Sequence, residues 1–412
     1  MREGSQGHNP LVAPVSKDEG GPPTGLMLRD ASQRSQVYAG CATLPACAAT
    51  LLSMRQTARE PYCLLENTVR VKPQQVTTQG AQMVEVPITI ACGNYDRCRA
   101  ILDGRVRVEG CAVTYLPLYP EEIFFRAFRY QEFDVSELSF SSYIRTVAAG
   151  TAAYVGIPAF VSRLFRHSGM YVRADSGIAS PTDLRGKRIG LPEYQITAVV
   201  WMRGILQHEY GVAPTEIHWR SGGQEETGRD ERTALKPIPG LDLAPIGKDE
   251  TLVGMLREGK LDALFTARAP SSFLRGEAHI KRLFANTREA EQAYYKKTRM
   301  FPIMQLVGIR KELVAKYPWL PTSVYKAFCQ AKALAITDLL DVNALMVTLP
   351  WMIPETQETM ALMGSDYWAY GIEENMREIT ALAGYLHEQG LIERKVAVQE
   401  LFHPSMFEIS KV

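Results

Sequence analysis

From Val86 onward, short apolar runs alternate with segments whose apolar residues recur every three or four positions. VPITIAC predicts a strand, a Gly93-Asn94 turn follows it, and a short helix is expected from about Asp96 to Leu102. CAVTYLPL, PEEIFFRAFRYQ and FDVSELSF then predict strand, helix and strand. Alternation of this kind is typical of βαβ units and predicts a mostly parallel sheet.

A second run of the same kind begins beyond Arg173. KRIGLP is expected to form a strand, ITAVVWMRGILQHEY a long helix, EIHWR a strand, DETLVGMLREG a helix and LDALFTA a strand. After MFPIMQLVGIRKEL the pattern turns helical, and a chain of 412 residues is long for a single core. We therefore predict two α/β lobes with a ligand cleft between them and a helical C-terminal region. Lobe 1 comprises residues 86–165 and 300–412, and lobe 2 comprises residues 166–299.

The first 85 residues differ in composition from the rest. MREGSQGHNPLVAPVSKDEGGPPTG is rich in Gly, Pro, Ser and polar residues and shows no sustained period. CATLPACAATLLSM begins too late, and follows a segment of mixed charge, for the core of a signal peptide. We expect residues 1–85 to be a disordered extension, or to precede a natural start near Met83.

Composition restricts the partners. With 46% hydrophobic and 22% charged residues the chain is ordinary for a globular protein, and a net charge of +1 supplies no global field for nucleic acid or an anionic membrane. The apolar runs are shorter than a transmembrane span. The seven cysteines lack metal-type pairing, which favours a reducing compartment. We expect a cytoplasmic protein without nucleic-acid or membrane partners, in which any anion site is local.

Candidate site residues follow from the predicted strands. The sequence has no Gly-x-Gly-x-x-Gly after the first strand, no P-loop, no His-Glu-x-x-His and no Gly-x-Ser-x-Gly. In open α/β sheets, ligands bind beyond the carboxyl ends of the strands. The stretch FVSRLFRHSGMYVR places Arg163, Arg166 and His167 at the predicted junction of the lobes, where they would face the floor of the cleft. Other residues just after strands are Tyr95 to Arg97, Ser139 to Ser142, Glu193 to Gln195, Arg220 to Glu226, and Ala267 with Arg268.

Four longer segments carry a family resemblance. FRHSGMYV, SPTDLRGKRIGLPEYQITAVVWMRGILQHEYGV, HWRSGGQEETGRDER and GSDYWAYGIEEN closely resemble the 4,5-dihydroxyphthalate decarboxylases, from about Ile88 to Pro404. The resemblance implies the type 2 periplasmic-binding-protein-like fold, shared with solute receptors of ABC transporters. DLRGKRIG and GKLDAL indicate only that fold, whereas FRHS, PEYQ and WRSGGQEE are specific to the decarboxylase-like branch. Where the family pattern runs Tyr-Asp-Arg-Thr this chain has Cys98, which concerns the identity of the substrate more than the reaction.

The substrate that the resemblance implies gives the arginines a role. 4,5-Dihydroxyphthalate is a small aromatic dicarboxylate, and each of its two adjacent carboxylates has a phenolic hydroxyl para to it. Arginine provides the fixed, bidentate donors that such a dianion needs, and the helix that Tyr194-Gln195-Ile196-Thr197 opens adds backbone donors. For Arg163 and Arg166 the alternative is a salt bridge at the surface or between the lobes. The residues expected to bind substrate are Arg163, Arg166, Arg220, Arg268, Tyr95, Arg97, Ser141, Gln195 and Thr197.

The reaction itself calls for an acid and a base. Direct loss of CO₂ would leave an aryl anion, whereas protonation of the ring carbon, with the para phenol deprotonated, gives a cyclohexadienone that loses CO₂ and regains aromaticity. His167 is the first acid–base candidate, Glu193 the second, and Tyr194 would orient a phenolic hydroxyl. The alternatives are an interlobe hydrogen bond for His167 and a helix-start acid for Glu193. His167→Ala should abolish turnover with ligand affinity retained, whereas Arg166→Ala should weaken binding first.

No cofactor is expected, because the para hydroxyl serves as the electron sink. No metal site is indicated, although Glu225 and Glu226 could hold a divalent ion with the substrate's hydroxyls. We expect a carboxy-lyase, because the sequence lacks a convincing signal peptide or lipidation cysteine and because a histidine beside arginines favours proton transfer. A solute-binding protein for an aromatic or organic anion is the alternative, and so is an enzyme for another hydroxylated aromatic acid. Assembly into a homo-oligomer stays open.

Overall fold

Two β-sheets form the framework of the protein. The computed structural model describes residues 85–229, 231 and 235–409. In these residues the strands β1 to β11 are, in chain order, Val86–Cys92, Cys111–Pro117, Val135–Ser139, Tyr154–Arg163, Met170–Arg173, Arg188–Leu191, His218–Ser221, Asp242–Pro245, Ala263–Phe265, Ile280–Arg282 and Ile303–Arg310. The α-helices α1 to α12 are Asp96–Leu102, Pro120–Tyr130, Phe140–Ala148, Thr197–Tyr210, Leu252–Arg257, Ser271–Leu274, Thr287–Thr298, Lys311–Lys316, Leu320–Leu340, Met352–Met363, Met376–Glu388 and Val398–Leu401.

The first sheet has the strand order β2-β1-β3-β11-β4, and the second has the order β10-β5-β9-β6-β7-β8. The predicted α/β fold with two sheets and a helical C-terminal region is confirmed, and it is the two-lobed type 2 periplasmic-binding-protein-like arrangement that the resemblance implies. The predicted lobe limits enclose the strands of each sheet, and as exact boundaries they stay a prediction. The predicted extension lies outside the described residues apart from Glu85.

Both sheets are mixed, and in each of them all strands but one run parallel to one another, in line with the prediction from the alternating pattern. β1 is parallel to β2 and β3, whereas β11 is antiparallel to β3 and β4. In the second sheet, β6, β7, β8 and β9 are parallel, but β5 is antiparallel to β9 and β10. The reason is the connection between the sheets. β4 leaves the first sheet at its carboxyl edge and β11 returns at that same edge, so β11 has to run in the opposite direction.

The sequence of β4 fits its place in the sheet. The strand contains Pro158, which has no N–H to donate to a neighbouring strand. β4 lies at the edge of its sheet, so this proline breaks no ladder with a second neighbour. The strand ends at Arg163, and the chain then passes Arg166 and a short 3-10 helix, His167–Gly169, before it enters the second sheet. The segment between the sheets therefore lies at the carboxyl edge of the first one.

Helix α11 is bonded to both lobes. Glu378 in its first turn pairs with Arg163 at the end of β4, across 3.7 Å from Nη1 to Oε1. Beyond its last turn, Gln389 accepts a 2.9 Å hydrogen bond from the Arg203 Nε on α4. Between these points Gly204 of α4 lies against the Tyr385 ring, where a Cβ atom would come within 2.2 Å of the ring carbons. Helix α11 therefore connects the end of a lobe 1 strand with a lobe 2 helix.

Among the residues described, no helix combines the length and the apolar character that crossing a bilayer would require.

Candidate active site

A cavity of about 550 Å³ opens where strands of the two sheets point their carboxyl ends toward one another. Its wall is built by the residues after β1, β2, β3, β4, β6 and β9 and by the start of β11, as expected for an open α/β sheet. The lining residues are Gly93, Asn94, Tyr95, Pro117, Leu118, Tyr119, Pro120, Glu121, Phe124, Ser139, Ser142, Arg166, Glu193, Gln195, Ile196, Thr197, Ala198, Ala267, Met304 and Gln305.

Arg166 places a positive charge in this wall. The residue is 7% exposed, and its Nε lies 3.0 Å from the Met304 sulfur. Among the described residues no carboxylate forms an ion pair with this guanidinium, and Glu291 acts on it only from a greater distance. Burial lowers the pKa of Arg166 to about 10, which still leaves the side chain charged at neutral pH. A buried charge without a counter-ion is costly, so an anionic ligand in the cavity would be bound favourably.

Two helix N-termini meet beside the cavity. Helix α3 begins after Ser139 and helix α4 begins at Thr197, and both residues line the cavity. The Ser139 and Thr197 hydroxyls lie 3.1 Å apart, and the Ser141 hydroxyl donates a 2.7 Å hydrogen bond to the Gln195 carbonyl oxygen. These bonds tie the lobes together through small hydroxyls. Because the partial positive charge of a helix lies at its N-terminus, both helices favour an anion here.

Glu193 forms the acidic part of the lobe 2 wall. It is 2% exposed, and its Oε1 accepts hydrogen bonds from Arg229 Nε at 3.1 Å and Nη2 at 2.6 Å. The same Nη2 lies 3.8 Å from the Glu121 Oε1, which belongs to the opposite lobe. Arg229 thus reaches from the loop after β7 to carboxylates on both sides of the cavity.

Tyr95 and Glu137 form the facing part of the lobe 1 wall. Tyr95 lines the cavity, and its hydroxyl donates a 2.9 Å hydrogen bond to Oε1 of Glu137, which is fully buried on β3. The other carboxyl oxygen accepts a 2.9 Å hydrogen bond from the Gly93 N–H. Arg97 stacks its guanidinium 4.3 Å from the Tyr95 ring centroid and 4.2 Å from that of Trp368, and does not line the cavity itself.

Arg163 lies in a different environment from Arg166. Its Nη1 donates to the Phe301 carbonyl at 3.0 Å and its Nη2 donates to the Ala369 carbonyl at 2.8 Å and to the Asn375 side chain. With the Glu378 carboxylate nearby, these groups surround the guanidinium inside lobe 1. Burial lowers its pKa to about 10, and Glu378 opposes that shift. The structure does not bring Arg163 into the cavity lining.

His167 packs into an aromatic pocket. Its ring lies 5.0 Å from the Phe284 centroid and 5.3 Å from the Tyr294 centroid, and the residue is 1% exposed. Both ring nitrogens are buried and lack a hydrogen-bond partner among the described residues. Burial lowers the pKa of His167 to about 4, so the ring is neutral at pH 7. Although it follows Arg166 directly, His167 is not among the residues that line the cavity.

Three further predicted residues are not among those that line the cavity. Tyr194 is fully buried under the Arg203 guanidinium, 3.6 Å from its ring centroid, with its hydroxyl unpartnered among the described residues. Arg220 pairs with Asp242 on the neighbouring strand β8 at 3.0 Å. Arg268 is exposed and lies 3.8 Å from Glu121. Of the predicted substrate-binding residues, the structure brings Tyr95, Arg166, Gln195 and Thr197 together in the cavity wall, with Ser141 behind them.

Some residues at the site escaped the sequence reasoning. Glu137 sits in VSELS, where every position of the strand is buried, so alternation gave no hint that one carboxyl faces the cleft loops. Gln305 lines the cavity with a buried Oε1 that has no partner in the described residues, but a glutamine in an apolar strand carries little signal by itself. Arg229 lies in the loop after β7, and its pairing with Glu193 could not be predicted from the spacing of residues in the sequence.

Glu225 and Glu226 are the residues that the sequence suggested as ligands if a metal ion takes part. The Glu225 carboxylate accepts hydrogen bonds from the Ser271 N–H and hydroxyl, both at 2.8 Å. In residues 85–229, 231 and 235–409 no three His, Cys, Asp or Glu side chains are grouped as metal ligands. The predicted metal alternative at Glu225 and Glu226 therefore rests on the sequence alone.

Comparisons with known proteins test the family resemblance that the sequence motifs indicate. No family model matches the chain. A curated 4,5-dihydroxyphthalate decarboxylase from Comamonas testosteroni is 44% identical over 330 residues, which cover 80% of this chain and 100% of that protein. A protein of the same name from Pseudomonas putida is 44% identical over 214 residues, covering 52% of this chain and 83% of that protein.

Solved structures with a similar fold are far more distant in sequence. The periplasmic aliphatic sulphonate binding protein SsuA from Escherichia coli has a TM-score of 0.44 and 15% identity, over 79% of this chain and 99% of that one. The alkanesulfonate-binding protein from Xanthomonas axonopodis pv. citri has a TM-score of 0.42 and 12% identity, over 78% of this chain and 98% of that one. The identity to the curated relatives, over the full length of one of them, decides the assignment: this chain belongs to the 4,5-dihydroxyphthalate decarboxylase family.

Proposed function

We propose that the protein converts 4,5-dihydroxyphthalate to protocatechuate and CO₂ without oxidation. Two relatives at 44% identity carry the name of that activity. The substrate is an aromatic dianion, and the cavity offers what such a ligand requires: apolar side chains, buried hydroxyls and a local positive field. The overall net charge of +1 contributes little to that field, so it has to come from groups within the wall.

Arg166 is the observation that carries the proposal. Its buried guanidinium lines the cavity with no carboxylate paired to it among the described residues. A guanidinium offers parallel donors to a carboxylate, and the α3 and α4 N-termini add backbone donors on the same side. We assign this corner of the cavity to the substrate's two adjacent carboxylates.

The para hydroxyls explain why no electron-accepting cofactor is needed. Loss of CO₂ directly from the ring would leave a localised aryl anion. When the para hydroxyl gives up its proton and the ring carbon gains one, the carboxylate is attached to an sp³ carbon of a cyclohexadienone. Its C–C bond then breaks, the bonding electrons return to the ring, and the phenol is restored. The enzyme has to hold one carboxylate, accept the phenolic proton and deliver a proton to carbon.

Glu193 is the group that we propose for proton delivery. Of the two acid–base candidates from the sequence, it lines the cavity, whereas His167 lies among aromatic rings outside the lining. Arg229 holds the Glu193 carboxylate, so this role requires Arg229 to exchange that partner for a substrate carboxylate. His167 is the alternative, and the comparison of variants described below separates the two.

The cellular location and the oligomeric state of the enzyme are also matters of proposal. We place the enzyme in the cytoplasm because Cys92 and Cys98 carry free thiols whose sulfurs are 3.9 Å apart, an arrangement that a reducing compartment preserves. Fractionation of the source cells would test this location. Self-association into a homo-oligomer is a separate question that sedimentation of the purified chain would answer.

Incubation of the purified chain with 4,5-dihydroxyphthalate, with and without EDTA, tests the function. We expect equal amounts of CO₂ and protocatechuate in both samples, and far less of both with Arg166→Gln. Product only without EDTA would establish the reaction with a metal, and Glu225 and Glu226 would be the first ligands to replace. Saturable binding without product would favour a solute-binding protein instead, and neither binding nor product would overturn the proposal.

A further inference from the structure

We propose that Tyr95 and Glu137 form a proton relay that takes up the proton of the substrate's para hydroxyl. This inference rests on the proposed decarboxylation and deepens it, because that reaction needs a base on the phenol side of the ring. Glu137 would act through Tyr95 without touching the substrate. Tyr95 would be the catalytic residue and Glu137 the residue that accepts the relayed proton.

The relay starts from the placement of the tyrosine hydroxyl. Tyr95 lines the cavity at the end of β1, on the lobe opposite Glu193. Its hydroxyl donates to Glu137 at 2.9 Å, which leaves the lone pairs on the tyrosine oxygen to accept a hydrogen bond from a phenol in the cavity. A hydroxyl that donates to a carboxylate while it accepts from the substrate is the arrangement that a relay requires.

The Tyr95 ring is held in place from two sides. Gly93 lies against one side, where a Cβ atom would come within 2.5 Å of the ring carbon that bears the hydroxyl. The Arg97 guanidinium stacks 4.3 Å from the ring centroid, and its Nε is fixed by a 2.6 Å hydrogen bond to the Val161 carbonyl. A hydroxyl held this way loses little further freedom when a ligand binds, which favours proton transfer.

Glu137 has the environment of a proton acceptor rather than that of an ion-pair partner. Its carboxyl is completely buried and is held by the Gly93 N–H and the Tyr95 hydroxyl. Burial raises its pKa, and those hydrogen bonds and the Arg97 charge oppose the shift. A carboxylate with a raised pKa is a stronger base than an exposed one. The charged and titratable groups around it are the Cys92 thiol, the Tyr95 and Tyr115 hydroxyls and the Arg97 guanidinium.

The proton balance of the step is simple. The O–H bond of the substrate's para hydroxyl breaks, and its proton goes to the Tyr95 oxygen. The tyrosine proton goes to the Glu137 carboxylate, which becomes a neutral carboxylic acid. The electron pair left on the substrate oxygen moves into the ring as the carbon para to it accepts a proton from the opposite wall. After CO₂ leaves, the two relay protons return to their original oxygens and the phenol is restored.

Paired variants test the relay. We expect Tyr95→Phe and Glu137→Gln each to lower kcat about 10²-fold, and the double variant to fall no further, because both remove the same path. Tyr115→Phe is the matched control: its hydroxyl bonds to the Gly93 carbonyl in the same loop at 3.2 Å but lies outside the cavity lining. Losses that multiply in the double variant, or an equal loss in Tyr115→Phe, would contradict the relay.

The pH profile distinguishes the relay from a purely structural role. Because Glu137 has to be ionised to accept the proton, kcat of the wild type should fall as the pH drops through the raised pKa of that carboxyl. Glu137→Gln should be slow and lack this acidic limb. A ring-fluorinated substrate, whose phenol is more acidic, should recover part of the loss in Tyr95→Phe. An unchanged acidic limb in Glu137→Gln would overturn the assignment.

A binding measurement keeps the relay testable apart from turnover. Protocatechuate retains both phenolic hydroxyls and absorbs differently as a phenolate, so its ionisation in the bound state can be followed by ultraviolet difference spectra. We expect bound protocatechuate to ionise at lower pH in the wild type than in Tyr95→Phe or Glu137→Gln. If the wild type bound it with this shift but turned over no substrate, the proposed reaction would fail and the relay would stand. Normal turnover without the shift would overturn the relay alone.

Discussion

Arg163 and Arg166 lie within one short stretch, and both are almost completely buried, yet their surroundings differ in kind. Around Arg163, two carbonyl oxygens, the Asn375 side chain and the Glu378 carboxylate surround the two terminal nitrogens of the guanidinium from within lobe 1. Around Arg166, the described residues supply a methionine sulfur and a cavity. The terminal nitrogens of Arg163 have partners without a ligand, whereas those of Arg166 have none among the described residues. Burial of a charge is thus a poor guide to function until its partners are known.

The largest effect is expected at Arg163, and it is a loss of stability. Arg163→Gln should lower the free energy of unfolding by about 3–5 kcal/mol, because it leaves the Glu378 carboxyl and two carbonyl oxygens buried without their donor. Urea unfolding measures this loss. Glu378→Gln should cost a similar amount, and the double variant should cost less than the sum of the two. If KM rose while stability stayed unchanged, Arg163 would belong to the binding site.

Arg166→Gln should have the opposite signature. We expect kcat/KM to fall about 10²- to 10³-fold, because a buried charged hydrogen bond to the substrate is lost. The free energy of unfolding should stay equal or rise, since a buried charge without a counter-ion disappears. Arg166→Lys retains the charge but not the paired donors, so its activity should be intermediate. A large loss of stability in Arg166→Gln would remove the contrast with Arg163.

The acid–base candidates allow the same comparison of a cavity residue with an enclosed one. Glu193→Gln should reduce kcat about 10²-fold with ligand affinity changed only a few-fold, because it removes a proton donor and keeps the shape. His167→Gln should reduce kcat much less. Single-turnover kinetics and equilibrium binding measure both variants. The reverse outcome, with the major loss of kcat in His167→Gln, would support the histidine as the acid.

The smallest effect concerns how the stability depends on pH. Folding lowers the pKa of His167 from an ordinary value near 6.5 to about 4, so the unfolded chain binds a proton that the folded chain refuses. Stability from this residue is therefore present above pH 6.5 and is lost as the pH falls toward 4, by about 2 kcal/mol between pH 7 and pH 5. His167→Phe should remove that part of the slope in urea unfolding measured at both pH values. An unchanged slope would mean that the ring gains a partner or water in solution.

The sequence anticipated the frame of the site more reliably than its chemistry. The first helix has the predicted limits, Asp96–Leu102, and the cavity lies at the carboxyl ends of the strands, because both follow from local patterns and sheet geometry. The antiparallel course of β11 could not be predicted from alternation, since it depends on where the chain returns between sheets. The short strands Asp242–Pro245 and Ile280–Arg282 carry too few residues for a period to be recognised.

The roles of individual charges depended on distant partners. Arg163 forms an ion pair with Glu378, and no local sequence pattern connects residues so far apart in the chain. Glu137 was overlooked for a similar reason, because its importance comes from a tyrosine hydroxyl delivered by another strand. Residue type and position after a strand indicated Tyr95 and Gln195, a predicted helix start indicated Thr197, and all three line the cavity. They did not indicate which side chains turn into the core.

The attachment of α11 to both lobes bears on how the protein can move. Closure of two lobes around a ligand by a hinge movement requires a connection between the lobes that bends. Helix α11 binds lobe 1 through Glu378 and lobe 2 through Gln389, and these two contacts oppose a change in the angle between the lobes. A protein with this connection is poorly suited to signalling by closure and well suited to holding the two opposite walls of its cavity at a constant distance.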